Sequence, residues 1–209
     1  MKTPTAGIIL AAGESKRFGA PKQLLKLGGR FLVAWVLEAA LESDLDRVVL
    51  VLGCEHARIR RRLVAWTGHP KCEVIVNPTY RDGLSASLKA GVARIQNDFS
   101  TAMFLLGDQP LVDAAVINLL LRRFAHSPKS ICIPTHRGTR GNPTLFARSF
   151  YSAILNLAGD RGARDLIAAH PDQVLAVEIP DPMVFIDVDH REDAETIARL
   201  MKSRQPSEK

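Results

Sequence analysis

Residues 7–22 read GIILAAGESKRFGAPK, an apolar run that leads directly into a glycine-containing basic segment. The run from Gly7 to Ala12 has the length and the continuous apolar character of a buried strand. Gly13 interrupts that run at once, and Pro21 restricts the backbone at the far end of the segment. A buried strand followed by such a turn is typical of the first unit of a parallel α/β sheet.

The same alternation of apolar runs and helical spacing continues along the chain. Further strands are predicted at Arg47–Leu52, Glu73–Val76, Thr101–Leu106, Ser130–Pro134, Thr144–Phe146, Val174–Ile179 and Val184–Val188. Helices are predicted at Phe31–Ser43, Ala57–Thr67, Leu84–Gln96, Ala114–Ala125 (which Asp113 can cap), Ser149–Leu157, Arg161–Ala169 and Arg191–Met201. Continuous apolar strands separated by helices predict a mostly parallel sheet with helices on both faces.

Length and composition favour one folded domain. The chain has 209 residues, of which 46% are hydrophobic and 24% charged, and a formal net charge of +6. This composition excludes collagen-like, fully disordered and disulfide-rich proteins. We assign residues 1–201 to a single domain, with a nucleotide-binding half up to residue 110 and an acceptor-binding half after it. Residues 202–209 are polar and are predicted to form a disordered tail.

The sequence predicts neither a membrane nor a nucleic-acid partner. The longest apolar stretch, residues 31–41, contains Glu38 and is too short to span a bilayer. The basic residues Arg58, Arg60, Arg61 and Arg62 lack interleaved aromatics, so a solvated helix face is favoured over nucleic-acid binding. Three widely spaced cysteines without a Cys-x-x-Cys pair favour a reducing compartment, the cytoplasm.

The segment after the first strand has the chemistry of a phosphate-binding loop. Residues 11–13 are small enough to let the backbone approach a ligand, and consecutive N–H groups in a turn attract anions. Ser15 adds a hydroxyl, and Arg17 and Lys22 add positive charge that suits a triphosphate. The Walker A spacing and the Gly-x-Gly-x-x-Gly fingerprint are both absent. The alternative is a basic surface loop that needs glycine only for its turns.

Carboxylates occur at two places that suit a metal ion. Asp108 follows an apolar strand, and the carboxyl ends of strands are where ligands bind in open α/β sheets. Magnesium uses a small number of carboxylates together with phosphate oxygens and water. Alternation over the strand predicted at Val184–Val188 would put Asp187 and Asp189 on one face. The alternatives are a turn position for Asp108 and a helix cap for Asp189.

Together these segments resemble a family of nucleotidyltransferases that attach a nucleoside monophosphate to a phosphorylated acceptor. Members carry Leu-Ala-Ala-Gly-x-x-x-Arg-Phe/Met-Gly and then a lysine, and this chain has Leu10–Gly19 and Lys22 there. Gly107–Pro110 is similar to the family's Gly-Asp-x-Pro, and residues 187–189 are similar to its Asp-x-Asp, although His190 departs from the Thr that follows. The chain resembles most the molybdenum cofactor cytidylyltransferases. This resemblance implies a Rossmann-like sheet with a short mixed β extension, as in nucleotide-diphospho-sugar transferases.

The resemblance also implies a role for each matched residue. The expected catalytic residues are Arg17, Lys22 and Asp108. The expected metal ligands are Asp108, Asp187 and Asp189, with Asp187 preferred as the second. Nucleotide contacts are expected from Leu10, Ala11, Ala12, Gly13, Ser15, Arg17, Lys22, Asn77, Gly83, Ser87, Gly107 and Gln109. Acceptor contacts are expected from Arg137, Arg140, Gly141 and Asn142, and the segment Gly159–Arg164 also matches the family. Helix caps and turns with solvated charges are the alternatives for residues 77–87 and 137–142.

The implied activity is transfer of CMP from CTP to the terminal phosphate of molybdopterin or Mo-molybdopterin, which releases pyrophosphate. Mg²⁺ is the expected cofactor, with Mn²⁺ as its alternative, and a molybdenum hydroxylase is a candidate recipient of the product. Ala12 and Gln109 match the cytidylyl pattern, whereas guanylyl members tend to carry Gly and Met at those positions. The alternatives are a guanylyl or sugar-phosphate nucleotidyltransferase and a non-catalytic carrier of the molybdenum cofactor.

Overall fold

A central β-sheet organises the protein, whose computed structural model describes residues 3–15, 18–160 and 162–204. The strands are β1 (Thr5–Ala11), β2 (Lys26–Leu27), β3 (Arg30–Phe31), β4 (Arg47–Leu52), β5 (Cys72–Val76), β6 (Thr101–Leu106), β7 (Ile131–His136), β8 (Thr139–Arg140), β9 (Thr144–Ala147) and β10 (Val174–Glu178). Strands β2 and β3 form a hairpin of their own. Among the described residues, the main sheet has the order β10-β7-β9-β6-β1-β4-β5, and β8 pairs with β7 off this path.

Most neighbours in the main sheet run parallel. Strand β1 pairs in parallel with β4 and β6, β4 pairs in parallel with β5, and β10 pairs in parallel with β7. Strand β9 is antiparallel to both β6 and β7, and it creates the mixed part of the sheet. The mostly parallel α/β fold predicted from the sequence is therefore confirmed.

Helices cover both faces of the sheet. They are α1 (Leu32–Glu42), α2 (His56–Arg62), α3 (Val64–Thr67), α4 (Leu84–Ile95), α5 (Ala114–Ala125), α6 (Tyr151–Leu155), α7 (Arg164–Ala169) and α8 (Arg191–Arg204). Ile9 packs with residues of α1, α2 and α5 on one face, whereas Ile8 packs with residues of α4, α6 and α7 on the other. Both isoleucines are fully buried, which explains why β1 is a continuous apolar run.

Most helix and strand predictions are confirmed to within a few residues, but the region 57–67 differs. The single helix predicted there is broken at Leu63, whose φ of −102° and ψ of 15° separate α2 from α3. Leu63 is fully buried, so its side chain packs into the core at the point where the helix is interrupted. The predicted cap of α5 is confirmed because the Asp113 side chain accepts a hydrogen bond from Val116 N.

The strand predicted over Val184–Val188 is wrong. Residues Pro182–Phe185 form a 3-10 helix, and the side chain of Asp181 accepts a hydrogen bond from Met183 N at its start. The acidic segment that follows is therefore not strand-paired, and its two aspartates do not alternate along a strand. At the carboxyl end, α8 continues to Arg204, so residues 202–204 belong to a helix and not to a tail. Residues 205–209 lie outside the described residues.

A third apolar cluster holds the acidic segment in place. Leu27 of the β2–β3 hairpin, Val188 and Ile197 of α8 are buried together. Val188 N also donates to Asp108 O at 3.0 Å, which joins this segment to the end of β6. None of the helices within the described ranges combines the length and the apolar character needed to cross a membrane.

Candidate active site

A cleft of about 290 Å³ opens at the carboxyl ends of β1 and β6. The chain proceeds from β1 to β4 and β5 on one side and then returns to β6 on the other, so the loops after β1 and β6 diverge. Open α/β sheets bind ligands at such a reversal of strand order. The lining residues are Leu10, Ala11, Ala12, Gly13, Lys22, Gln23, Tyr80, Gly83, Leu84, Ser87, Leu106, Gly107, Asp108 and Asp160.

The loop after β1 is held against the end of β4. Cys54 N donates to Ala12 O at 3.1 Å. A Cβ atom on Gly53 would lie 2.6 Å from the same carbonyl oxygen, so glycine is required for this approach. Ser15 has a φ of 54°, and its hydroxyl accepts a hydrogen bond from Lys22 N at 3.0 Å. The Ser15 hydroxyl is therefore engaged within the loop, and Ser15 does not line the cleft.

Lys22 brings a positive charge into the cleft between two carboxylates. Its Nζ lies 2.6 Å from Asp108 Oδ2, 3.3 Å from Asp189 Oδ1 and 3.2 Å from Val188 O. Burial alone would lower the pKa of Lys22, but the charges and hydrogen bonds of Asp108 and Asp189 outweigh burial and raise it above its ordinary value. Lys22 is therefore protonated at neutral pH.

Among the described residues, three carboxylates, those of Asp108, Asp187 and Asp189, interact with Lys22 or with one another. Burial and then the negative charge of Asp108 raise the pKa of Asp187 above its ordinary value, and Asp189 adds to the rise. Gln109 hydrogen-bonds to Asp187 and opposes the rise. Among the described residues, the buried Gln109 Oε1 has no hydrogen-bond partner. This oxygen-rich, electronegative set has the chemistry that a hard divalent cation with its water ligands requires.

In this structure the positive charge beside these oxygens is that of the Lys22 ammonium. The Lys22 ammonium bonds to both Asp108 and Asp189. In the part of the chain that the structure describes, no three His, Cys, Asp or Glu side chains are grouped so that they could hold a metal ion. Lys22 contacts Asp108 and Asp189, two of the three carboxylates predicted as metal ligands.

Residues 77–87 form the opposite wall of the cleft, and buried polar side chains fix their path. Asn77 Nδ2 donates to Ser87 Oγ at 3.2 Å, and Asn77 Oδ1 accepts from Thr79 N at 3.0 Å. Asn77 and Ser87 are both buried. Of these two predicted nucleotide contacts, Ser87 lines the cleft, and Asn77 supports it from behind.

Gly83 allows a second loop to reach the start of α4. Leu84 N donates to Asp160 Oδ1 at 3.2 Å, and Ser85 N donates to Gly159 O at 3.1 Å. Gly83 has a φ of 97° and a ψ of −176°, a backbone conformation that is essentially restricted to glycine. The loop containing Asp160 thereby becomes part of the cleft wall.

We expect Gly83→Ala to destabilise the protein and to weaken nucleotide binding. The strained backbone would cost about 1–3 kcal/mol. The new Cβ would also meet the Asp160 carboxylate and lie 2.8 Å from Gly159 O, so the loop must move. Urea unfolding and the KM for the nucleotide measure the two effects.

Gly68→Ala is the matched control for this substitution. Gly68 has helical backbone angles, with φ −79° and ψ −6°, and the nearest atom to an added Cβ is Val64 O at 3.4 Å. Stability and KM close to those of the wild type are expected for this variant. Wild-type behaviour of Gly83→Ala would contradict the role assigned to Gly83.

The predicted acceptor residues lie at the same edge of the sheet as the cleft. Strand β7 runs parallel to β6 because both are antiparallel to β9, and residues 137–142 follow its carboxyl end. The backbone N–H of Arg137 donates to Glu178 Oε1 at 2.8 Å. Arg137 and Arg140 are both exposed to solvent. Gly141 packs against the ring of Phe185, where a Cβ would clash. Gly141 therefore joins this hairpin to the segment that leads to Asp187.

The structure brings together many of the predicted residues at the cleft and leaves others beside it. The predicted residues that line it are Leu10, Ala11, Ala12, Gly13, Lys22, Gly83, Ser87, Gly107 and Asp108. Arg17 lies outside the described residues. Sequence reasoning missed five residues that also line the cleft: Gln23, Tyr80, Leu84, Leu106 and Asp160. Asp160 could have been found, because it lies in the segment 159–164 that resembles the family. No local sequence pattern distinguishes a buried glutamine such as Gln23 from an exposed one.

Residues 7–174 match the MobA-like NTP transferase domain. The chain belongs to this family. The match extends from β1 to the start of β10, so it includes both walls of the cleft and the loop containing Lys22. This MobA-like chain is therefore a nucleotidyltransferase by family, and its fold is that of the nucleotide-diphospho-sugar transferases.

Curated relatives of this MobA-like chain carry several different names. Purine catabolism protein PucB of Bacillus subtilis is 29% identical over 96% of this chain and 100% of its own length. Nicotine blue oxidoreductase of Paenarthrobacter nicotinovorans is 29% identical over 88% of this chain and 91% of its own. Molybdenum cofactor cytidylyltransferase of Escherichia coli is 25% identical over 89% of this chain and 91% of its own.

Among solved structures, the protein Rv0371c of Mycobacterium tuberculosis H37Rv superposes with a TM-score of 0.82. The identity is 26%, and the superposition covers 95% of this chain and 99% of that one. A structure of Rv0371c in complex with manganese gives a TM-score of 0.79 at 25% identity, with 94% and 99% of the two chains covered.

Proposed function

We propose that this chain transfers CMP from CTP to the terminal phosphate of molybdopterin or Mo-molybdopterin. An oxygen of the acceptor phosphate forms a bond to the α-phosphorus of CTP. The bond from that phosphorus to the oxygen bridging the β-phosphate breaks, and pyrophosphate leaves with the electron pair. The other product is molybdopterin cytosine dinucleotide. Such a transfer depends on positioning and charge neutralisation and needs no protein nucleophile.

The contact between Lys22 Nζ and Asp108 Oδ2 carries this proposal. The two residues are 86 positions apart in the sequence, and their side-chain atoms are 2.6 Å apart in the cleft. The small residues 11–13 line the same cleft. A lysine held protonated, a carboxylate and a stretch of backbone that lines the cleft are the groups that recognise a triphosphate with its counter-ion.

Residues of the loop after β1 and of the opposite wall receive distinct tasks in the proposed reaction. Lys22 stabilises the negative charge that develops on pyrophosphate. Residues 11–13 let the backbone approach the phosphates, and Gly83 and Ser87 contact the nucleotide from the opposite wall. Arg17 is proposed as a second cation for the leaving group, which rests on its place in the family motif.

Asp108 and Asp187 would hold a divalent cation, with Asp189 beside them. Among the described residues, the grouping of these carboxylates around Lys22, the raised pKa of Asp187 and the buried Gln109 Oε1 without a hydrogen-bond partner support this assignment. When bound, such a cation supplies neutralisation of the triphosphate charge. Mg²⁺ is proposed, with Mn²⁺ as the alternative that the manganese complex of Rv0371c supports.

The choice of CTP and molybdopterin rests on resemblance and on one relative. Ala12 and Gln109 match the cytidylyl pattern, and the Escherichia coli relative is named a molybdenum cofactor cytidylyltransferase. The acceptor is proposed to contact residues 137–142, whose two exposed arginines suit a pterin phosphate. We further propose a cytoplasmic location, consistent with three free cysteines, and a molybdenum hydroxylase as recipient of the product.

Pyrophosphate release in the presence of molybdopterin and Mg²⁺ tests this function. CTP, GTP, ATP and UTP are compared, with Asp108→Ala as the inactive control, and release is expected with CTP alone. Release with GTP would keep the reaction but overturn the base assignment. Tight pterin binding without release from any nucleotide would contradict the enzyme and favour a carrier of the cofactor.

A further inference from the structure

We infer that Gln23 is a positioning residue that presents the backbone of the loop after β1 to the phosphates of the nucleotide, an inference that rests on the proposed function. Gln23 follows Lys22 in a short 3-10 helix, Lys22–Leu24. Gln23 is only 4% exposed, although it lines the cleft. A buried carboxamide needs hydrogen-bond partners, and the partners of Gln23 all lie within residues 11–15, the end of β1 and the loop that follows it.

The Gln23 side chain contacts that loop at three points. Its Nε2 donates to Ala11 O and to Gly13 O, each at 3.0 Å. Its Oε1 accepts from Ser15 Oγ at 3.3 Å. Both amide hydrogens and the carbonyl oxygen are therefore used to fix the backbone of residues 11–15.

This fixation determines where the peptide between Ala12 and Gly13 points. Gln23 holds the carbonyl group on each side of that peptide, and the Ala12 carbonyl itself accepts from Cys54 N. In a planar trans peptide the N–H lies opposite the carbonyl, so Gly13 N–H points away from Cys54. Because Gly13 lines the cleft, its N–H is presented to an anionic ligand there.

Gln23 also connects the loop to the cation of the cleft. Ser15 Oγ donates to Gln23 Oε1 and accepts from Lys22 N at 3.0 Å, so one hydroxyl joins the loop to the Lys22 backbone. The loop amides and the Lys22 ammonium are thus held in fixed positions relative to each other, and both would contact the phosphates. The ligand feature recognised in this way is the triphosphate, and the base plays no part in it.

Two substitutions test this role. Gln23→Met retains length without the amide, and Gln23→Glu retains shape but replaces the two N–H donors by a carboxylate. We expect the Kd for CTP, measured by calorimetry without acceptor, to rise at least about tenfold in both, with a larger rise for glutamate. The KM for CTP should rise in parallel, whereas kcat at saturating CTP should change by no more than about threefold.

A second measurement separates positioning from general destabilisation. Hydrogen exchange of the amides in residues 12–15 should accelerate in Gln23→Met, while exchange in α5 stays unchanged. Leu120→Ala is the matched control because Leu120 is fully buried in α5 and does not line the cleft. This control should lower the Tm without changing the Kd for CTP.

The outcomes distinguish this inference from the function on which it rests. Wild-type affinity for CTP in both Gln23 variants would overturn the inference and leave the proposed function standing. CTP binding that depends on Gln23, in a protein that releases no pyrophosphate, would support the inference and overturn the proposed function. A wild-type protein that binds no nucleoside triphosphate would overturn both.

Discussion

Asp108→Asn is expected to reduce kcat/KM for the nucleotide on the order of 10³-fold while the protein remains folded. Asparagine has the shape of aspartate, so packing at the end of β6 is retained, and only the charge is lost. Asp108 is the carboxylate that lies closest to Lys22, at 2.6 Å, and its charge also raises the pKa of Asp187. The substitution removes the negative charge that pairs with Lys22 and would contact the cation.

Steady-state pyrophosphate release at several Mg²⁺ concentrations measures this effect. A rise in the Mg²⁺ concentration needed for half-maximal activity is expected in addition to the fall in kcat/KM. Asp98→Asn is the matched control because the Asp98 side chain is 64% exposed and pairs with Arg94 on the surface. Retention of more than about a tenth of wild-type kcat/KM by Asp108→Asn would refute the assignment of Asp108 as a catalytic residue.

The position of Asp108 illustrates how far the sequence alone leads. An apolar run followed by Gly-Asp predicts a carboxylate at the end of a strand, and Leu105 and Leu106 do pair with Ile9 and Leu10 of β1. Strands that are buried on both faces of the sheet are continuous apolar runs, and such runs can be recognised in the sequence. The contact with Lys22 follows from tertiary packing, and no local pattern encodes a contact between residues so far apart in sequence.

The segment before Asp187 shows why other predictions failed. Residues 184–188 are rich in residues that favour strands, but Pro182 and the Asp181 cap start a 3-10 helix there. Val188 N bonds to Asp108 O instead of a neighbouring strand. Gln23 was missed for a related reason, because a glutamine in a polar loop reads as a surface residue until its three partners in the loop are seen.

Lys22→Met is expected to change two properties in opposite directions. Turnover should fall about 10²–10³-fold because the developing charge on pyrophosphate loses its preorganised cation. Binding of Mn²⁺ to the protein without nucleotide should strengthen, because in the wild type Lys22 Nζ bonds to Asp108, a proposed metal ligand, and to Asp189 beside the proposed site. The carboxylates that remain would repel one another unless a cation replaces the ammonium.

Solvent exposure of the side chains around Lys22 limits the expected gain in Mn²⁺ affinity. The side chains of Lys22 and Asp108 are 21% and 23% exposed, but that of Asp189 is 54% exposed, so solvent screens part of the interaction. We therefore expect Mn²⁺ affinity to rise about tenfold, the equivalent of about 1.4 kcal/mol. Electron paramagnetic resonance of free Mn²⁺ measures this affinity, and Lys26→Met, at an exposed lysine of β2, is the matched control.

A double-mutant cycle decides whether Lys22 and Asp108 act as one unit. If Lys22 competes with the cation through Asp108, the gain in Mn²⁺ affinity from Lys22→Met should shrink when Asp108→Asn is already present, because the shared partner is gone. Equal gains in the two backgrounds would mean that Lys22 acts only through Asp189 or through the general field of the cleft. Unchanged Mn²⁺ affinity in Lys22→Met would show that the ammonium and the cation occupy different positions, and the metal would then have to be assigned to other oxygens.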